Sequence, residues 1–307
     1  MSEFDSSARE REVTSGDVSR GYGERAVSFR CAGEDLVGVV ASPDAAKPIG
    51  VVIVVGGPQY RAGSHRQFIL LARALATAGY PALRFDHRGA GDATGAMRVF
   101  TDLDDDIAAA IDELCRACAL ERVVLFGLCD AASAALMYSD ARRDPRIAGF
   151  VLLNPWVRSE ATLARVQVKH YYRERVLDPA FWRKLARGDV DVRGAVRSFA
   201  GALSATVGAA PRAPTPDARS FQQRMADGLD RFAGPVLLLL SGRDLTAREF
   251  VEHASSDLQW SALLARTTLD RRELPDADHT CSSARGRGDV ERLAVEWLER
   301  VFADSRR

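Results

Sequence analysis

Apolar residues arrive along this chain in short unbroken runs, separated by stretches in which they recur every three or four positions. Residues 49–55, 123–126, 147–153 and 235–240 are apolar runs with no alternation, and 81–85 is a further strand-like stretch that includes Arg84. That pattern marks strands covered on both faces of a parallel sheet, where no residue needs to face water. Residues 26–43 instead hold two shorter strand-like runs split by Ala32-Gly33-Glu34-Asp35, which predicts a hairpin. Helical spacing follows the strands: Phe68, Leu71 and Leu75 share one face over 64–79, with Ser64 placed to cap and Gly79 to stop it. A second helix opens on the acidic run Asp102, Asp104, Asp105 and Asp106, charges that suit the positive end of a helix dipole without any metal, and runs to about Cys118. Helices are also expected over 247–254 and 288–302, and a weaker strand over 267–274.

Repeated strand-turn-helix units predict an α/β fold, with a mostly parallel central sheet covered by helices on both faces and a site at the carboxyl ends of the strands. The alternation breaks from Trp156 to about Leu229. Residues 156–200 look helical and mixed in charge, and 204–220 form a Pro/Ala-rich linker. The expected organisation is a flexible arm over 1–25, a first core part over 26–155, a helical lid and linker over 156–229, and a second core part over 230–307.

Composition narrows the functional classes. Lys+Arg and Asp+Glu both number 42, so there is no overall field to recruit nucleic acid or an anionic membrane. Five irregularly placed cysteines do not form a secreted disulfide framework. Together with an amino-terminal stretch that has no apolar signal region and the lack of any span long enough to cross a bilayer, they imply a reducing, cytoplasmic setting. Cys115 and Cys118 have CxxC spacing but no second pair to complete a zinc site. No cofactor or metal is called for.

The chemistry centres on residues 122–138. A buried run ends at Gly127, and the frame Gly127-Leu128-Cys129-Asp130-Ala131 reproduces the nucleophile elbow G-x-S-x-G with Cys for Ser and Ala for the last Gly. A thiol is mostly protonated at neutral pH and needs a base to react. Of five histidines, only His279 lies in a loop after the last strand and ahead of the final helix. A carboxylate must fix that imidazole, and Asp244 ends the preceding strand at the same rim. The chain order nucleophile, acid, histidine results. The oxyanion would be met by the backbone N–H of Asp130 and by a second donor from the loop Gly56-Gly57-Pro58-Gln59; Pro58 has no N–H, so Gly57 is assigned the role, with Gln59 behind it. Asp130 as a rival nucleophile would need Gly at 128, where Leu stands. Gln59, His65 and Arg66 are possible substrate contacts, while Asp86 and Arg88 read as loop-fixing partners.

Over 26–303 the chain resembles the α/β-hydrolase superfamily. The stretches GGPQYRAGSHRQF, LRFDHRGAGDATG, FGLCDAAS and NPWVRSEATLARVQVKHYYRERVLDPAFWRKL resemble the exosortase A system-associated hydrolase 1 group, named for its bacterial genomic neighbourhood. The resemblance implies an α/β-hydrolase with a Cys nucleophile and supplies no substrate. Where such relatives have Gly after Cys-Asp, this chain has Ala131.

Three functions follow from these residues. The first is ester or thioester hydrolysis through an acyl-Cys intermediate on a small-molecule acyl substrate. In the second, an acyltransferase passes the same acyl group to an amine, hydroxyl or thiol; the ten basic against five acidic side chains over 156–200 suit a carrier protein or CoA phosphate. A non-catalytic binding protein on the same fold is the third. Oligomeric state is not encoded in any of these features.

Overall fold

The computed structural model describes residues 21–57, 59–158 and 219–303. Most of the expected flexible arm (1–20), Pro58, and the expected lid and linker over 159–218 lie outside the described residues.

Eight strands form one sheet in the order β1-β2-β4-β3-β5-β6-β7-β8. The pair β1 (Tyr22–Cys31) and β2 (Glu34–Pro43) is the expected hairpin, turned at Ala32 and Gly33, both at positive φ. β1 takes in residues 22–25, which the sequence reading gave to the arm. β2 runs antiparallel to β4 (Ala82–Asp86). From there β4, β3 (Ile49–Val54), β5 (Arg122–Leu128), β6 (Ile147–Leu153), β7 (Val236–Ser241) and β8 (Leu269–Leu274) are parallel. Every residue of β3, β4, β6 and β7 is buried, which is why their sequences carry no alternation. The edge strand β8 instead exposes Glu273 and two arginines, charges that blunt pairing with another sheet.

Helices cover both faces. On one lie α2 (Asp104–Cys118), α3 (Asp130–Arg142), α4 (Phe221–Arg231), α5 (Leu245–Ser256) and α6 (Leu258–Leu264), burying Ile107, Leu136, Met225, Phe250 and Trp260. On the other α1 (Gln67–Thr77) and α7 (Ala284–Val301) bury Phe68, Leu75, Val290 and Trp297. Each such side chain contributes roughly 1.5–3 kcal/mol.

Several boundaries differ from expectation for local reasons. Ser64 does not cap α1: Gly63, His65 and Arg66 take left-handed backbone, and Ser64 sits in a short 3-10 turn ahead of the helix. α7 starts at Ala284 because the Ser283 hydroxyl accepts from Gly286 N–H. α4 begins at Phe221 behind a capping box of Ser220 and Gln223, and it packs on α3 so closely that a Cβ on Gly228 would lie 2.0 Å from Leu136 O. Its first nine residues therefore belong to the core layer and not to the lid.

The acidic run is spent on ion pairs. Asp106 is buried and takes the Arg88 guanidinium in two contacts at 2.7 and 3.0 Å, while Asp105 pairs with Arg142 and Asp102 with Arg98. The described ends flanking 159–218 are anchored too. Arg158 stacks on Trp156 and is bidentate to Glu249 on α5 at 2.8 and 2.9 Å; Arg219 binds Asp140 of α3 and Asp227 of α4.

Candidate active site

The elbow is built by steric necessity. Cys129 sits between β5 and α3 with φ 60° and ψ −123°, a conformation that a side-chain-bearing residue holds only under constraint from its surroundings. The constraint is visible: its N–H donates to Leu153 O at 2.9 Å, and its carbonyl accepts from Ala132 (3.1 Å) and Trp156 (3.2 Å). A Cβ on Gly127 would lie 2.5 Å from Ala132 N, so only glycine fits there, and the small Ala131 is wholly buried against it. The turn leaves the Cys129 side chain only partly buried at the carboxyl edge of the sheet.

His279 stands in the loop between β8 and α7, and its Nδ1 lies 2.9 Å from Asp244 Oδ2. A carboxylate can only accept, so Nδ1 carries the proton and Nε2 is the free nitrogen. The imidazole is also in hydrogen-bond contact with Cys129. These two partners, Asp244 first and Cys129 second, push His279 up to about 10 against the opposing effect of burial. Asp244 is buried and caps α5, accepting Thr246 N–H at 3.1 Å and Ala247 N–H at 3.2 Å, so its direction is fixed before the imidazole arrives. Three residues spread over 150 positions of sequence thus meet at one rim.

The loop after β3 reaches the elbow in an unexpected way. Gly57 N–H donates to the Asp130 carboxylate at 2.9 Å, and a Cβ on Gly56 would lie 1.9 Å from Asp130 Oδ1. Burial pushes Asp130 up, offset by Gly57 N–H and the first N–H groups of α3. The Gly57 donor assigned to the oxyanion is therefore taken by a side chain while this contact lasts.

The remaining sequence-predicted residues divide between scaffold and rim. Gln59 Oε1 accepts Ser64 N–H at 3.2 Å, tying the loop to the start of α1. His65 and Arg66 are exposed on consecutive left-handed residues, with His65 close enough to Asp278 to help Ser282 hold that carboxyl below its usual range. Asp86 is buried and binds Arg61 and the N–H of Asp92, so with Arg88 it fixes loops, as the sequence reading assigned. Among the described residues no group of His, Cys, Asp and Glu could hold a metal ion. A cavity of about 320 Å³ beside Lys47, Tyr80 and Phe302 sits at the amino end of β3, away from this chemistry.

Sequence reasoning missed Asn154. It follows β6, is wholly buried, and its side chain bonds to Ser241 and to the backbone of His279.

A doubly covered sheet in this strand order, with a strained nucleophile-type turn after β5 and a histidine loop after β8, is the architecture of an α/β-hydrolase. The chain has the α/β-hydrolase fold, and its matches support a hydrolase enzyme. Its residues 46–198 match the family described as Serine aminopeptidase, S33. Similar solved structures include an esterase of Pyrococcus furiosus, with 16% identity, 92% of each chain covered and a TM-score of 0.60. Est1E of Butyrivibrio proteoclasticus, solved with ferulic acid, has 15% identity, 91% of this chain and 100% of that one covered, and a TM-score of 0.60. A dienelactone hydrolase of Anabaena variabilis has 17% identity, coverages of 92% and 99%, and a TM-score of 0.58. No curated protein matches the chain in sequence. Among the described residues no helix is long and apolar enough to cross a membrane.

Proposed function

We propose that this α/β-hydrolase cleaves esters or thioesters through an acyl-Cys129 intermediate. The observation that carries the reading is the His279 imidazole, bonded through Nδ1 to Asp244 and interacting with Cys129 as well. With its first proton fixed on Nδ1, His279 takes the thiol proton on Nε2, and Asp244 balances the resulting positive charge. The sulfur attacks the acyl carbonyl; collapse of the tetrahedral intermediate expels an alcohol or thiol, which leaves with the proton from Nε2. Water then repeats the sequence, with His279 taking its proton, and regenerates the thiol.

The negative oxygen of each intermediate is met by Asp130 N–H at the start of α3, whose contact with the Asp130 carboxylate gives way as the charge forms. Since Gly57 N–H is engaged by the Asp130 carboxylate, the second donor falls to Gln59, the next residue with an N–H. The esterases among the structural neighbours support an ester as the substrate class. Likeness to the exosortase A system-associated group supports a bacterial setting for the reaction.

Intact-mass measurement during incubation with a panel of activated esters and acyl thioesters tests the proposal. A single adduct on Cys129, absent in Cys129→Ala and strongly reduced in His279→Ala, is expected. Turnover with no adduct on Cys129, or turnover that survives Cys129→Ala, sinks it. Added amine, hydroxyl and thiol acceptors, including CoA and an acyl carrier protein, read out hydrolysis against transfer in the same assay.

A further inference from the structure

We propose that Asn154 is the positioning residue of the base: one buried amide ties the backbone of His279 to the end of the strand that delivers Asp244. The inference rests on the reading of Cys129, His279 and Asp244 as the reacting groups.

Asn154 lies directly after β6, between the strand of the nucleophile and the strand of the acid. It is wholly buried and holds φ 49°, a left-handed conformation that asparagine tolerates better than most residues with a side chain. Its own N–H donates to Leu239 O at 3.0 Å, which seats the residue on β7. From there Oδ1 accepts Ser241 N–H at 2.8 Å. Nδ2 donates to Ser241 Oγ at 2.9 Å and to His279 O at 3.3 Å. Both amide protons and one acceptor site are used, so the amide has a single sensible orientation: reversing it would turn its NH2 onto the Ser241 N–H and its oxygen onto the His279 carbonyl.

These contacts meet a specific need. The loop from 275 to 283 is bound to β7 earlier in its course, through Gly242 N–H to Leu274 O (2.9 Å) and Arg243 N–H to Ala277 O (3.0 Å). At His279 itself, the bond from Asn154 holds the main chain to the sheet. The imidazole is 36% exposed, so packing alone does not fix it. Its two hydrogen-bond partners are on separate elements, and a displacement of about 1 Å at a reacting group can cost on the order of a hundredfold in rate. Ser241 is the last residue of β7, three before Asp244, so the same side chain registers acid and base against each other.

Two variants separate this role from general stability. Asn154→Asp keeps an oxygen for Ser241 N–H but removes both donated protons, and with them the tie to His279. Ser241→Ala removes the hydroxyl contacts to Asn154 and to Cys281 and leaves that tie intact. Full-length proteins, with Asn154→Ser as a second substitution at the site, are alkylated with iodoacetamide below each melting midpoint and followed by intact mass from pH 5.5 to 9.5.

Either Asn154 variant, as folded protein, is expected to slow labelling of Cys129 about tenfold at pH 7. Its profile should move toward that of an isolated thiol, and the downfield imidazole N–H resonance should weaken. Ser241→Ala should stay within about twofold of wild type. An Asn154 variant that melts lower yet labels with the wild-type rate and profile overturns the positioning role. If wild-type labelling does not depend on His279, measured with His279→Ala, the reading of the reacting groups falls first and this inference with it.

Discussion

Asp244→Asn tests the linkage between the acid and the nucleophile most directly. The carboxylate accepts from Thr246 N–H and Ala247 N–H as well as from His279 Nδ1. Thr246 N–H donates to Oδ1 and Ala247 N–H to Oδ2, so in either orientation the amide turns its NH2 onto one helix N–H, and no negative charge is left to balance an imidazolium. With NH2 toward Nδ1, the imidazole must carry its proton on Nε2; with oxygen toward Nδ1, the tautomer is kept but the imidazolium is uncompensated, so either way removal of the thiol proton is weakened. The fold is expected to survive, since one of the two cap bonds to α5 is kept. Without a carboxylate behind it His279 accepts the thiol proton less readily, and the alkylation rate at pH 7 should fall about tenfold. Ester turnover should fall further, on the order of a thousandfold or more, because the leaving group also loses its acid. The assay is iodoacetamide labelling followed by intact mass between pH 5.5 and 9.5. At pH 7 wild type should label about ten times faster than the variant, and adding His279→Ala to Asp244→Asn should slow the variant little further. Equal labelling rates of wild type and variant across this range refute the reasoning.

Three more outcomes follow from the same geometry. Because the folded-state pKa of His279 is raised from 6.5 to about 10, its contribution to stability is complete below pH 6.5 and lost as pH rises through 10; thermal melts of wild type minus His279→Gln should show the gap closing over that window. Gly127→Ala places a methyl 2.5 Å from Ala132 N, a backbone atom that cannot step aside, and urea unfolding should show a loss of at least about 2 kcal/mol. Asp130→Ala frees Gly57 N–H and loosens the loop against the elbow, so acyl transfer should fall about tenfold while Cys129 alkylation, which needs no oxyanion site, is unchanged. Asp130→Asn keeps an acceptor for Gly57 and should restore most of the loss.

The parts of this molecule that could be read from sequence are those whose patterns are enforced locally. The runs at β3, β6 and β7 show no alternation because both faces are covered, and glycine at 127 is demanded by backbone that would lie 2.5 Å from a Cβ. His279 and Asp244 could be placed because each follows a strand at the same sheet edge. Asn154 gave no such signal: its partners lie 87 and 125 residues onward, and a lone Asn at a strand end has no periodicity. Nor could sequence foresee that the Asp130 carboxylate would take the Gly57 donor, since the two are 73 positions apart. The short α6 escaped notice because Leu258 at its start is 91% exposed, which breaks the amphipathic pattern.

The paired anchors at Arg158 and Arg219 carry a consequence for how such an enzyme can diversify. Each fastens its own end of the chain to helices of the scaffold, one to α5 and the other to α3 and α4, using side chains that remain when the intervening sixty residues change. Selection can therefore rewrite that interval, in length or in composition, as a cassette, while the reacting groups keep the frame in which they were first assembled.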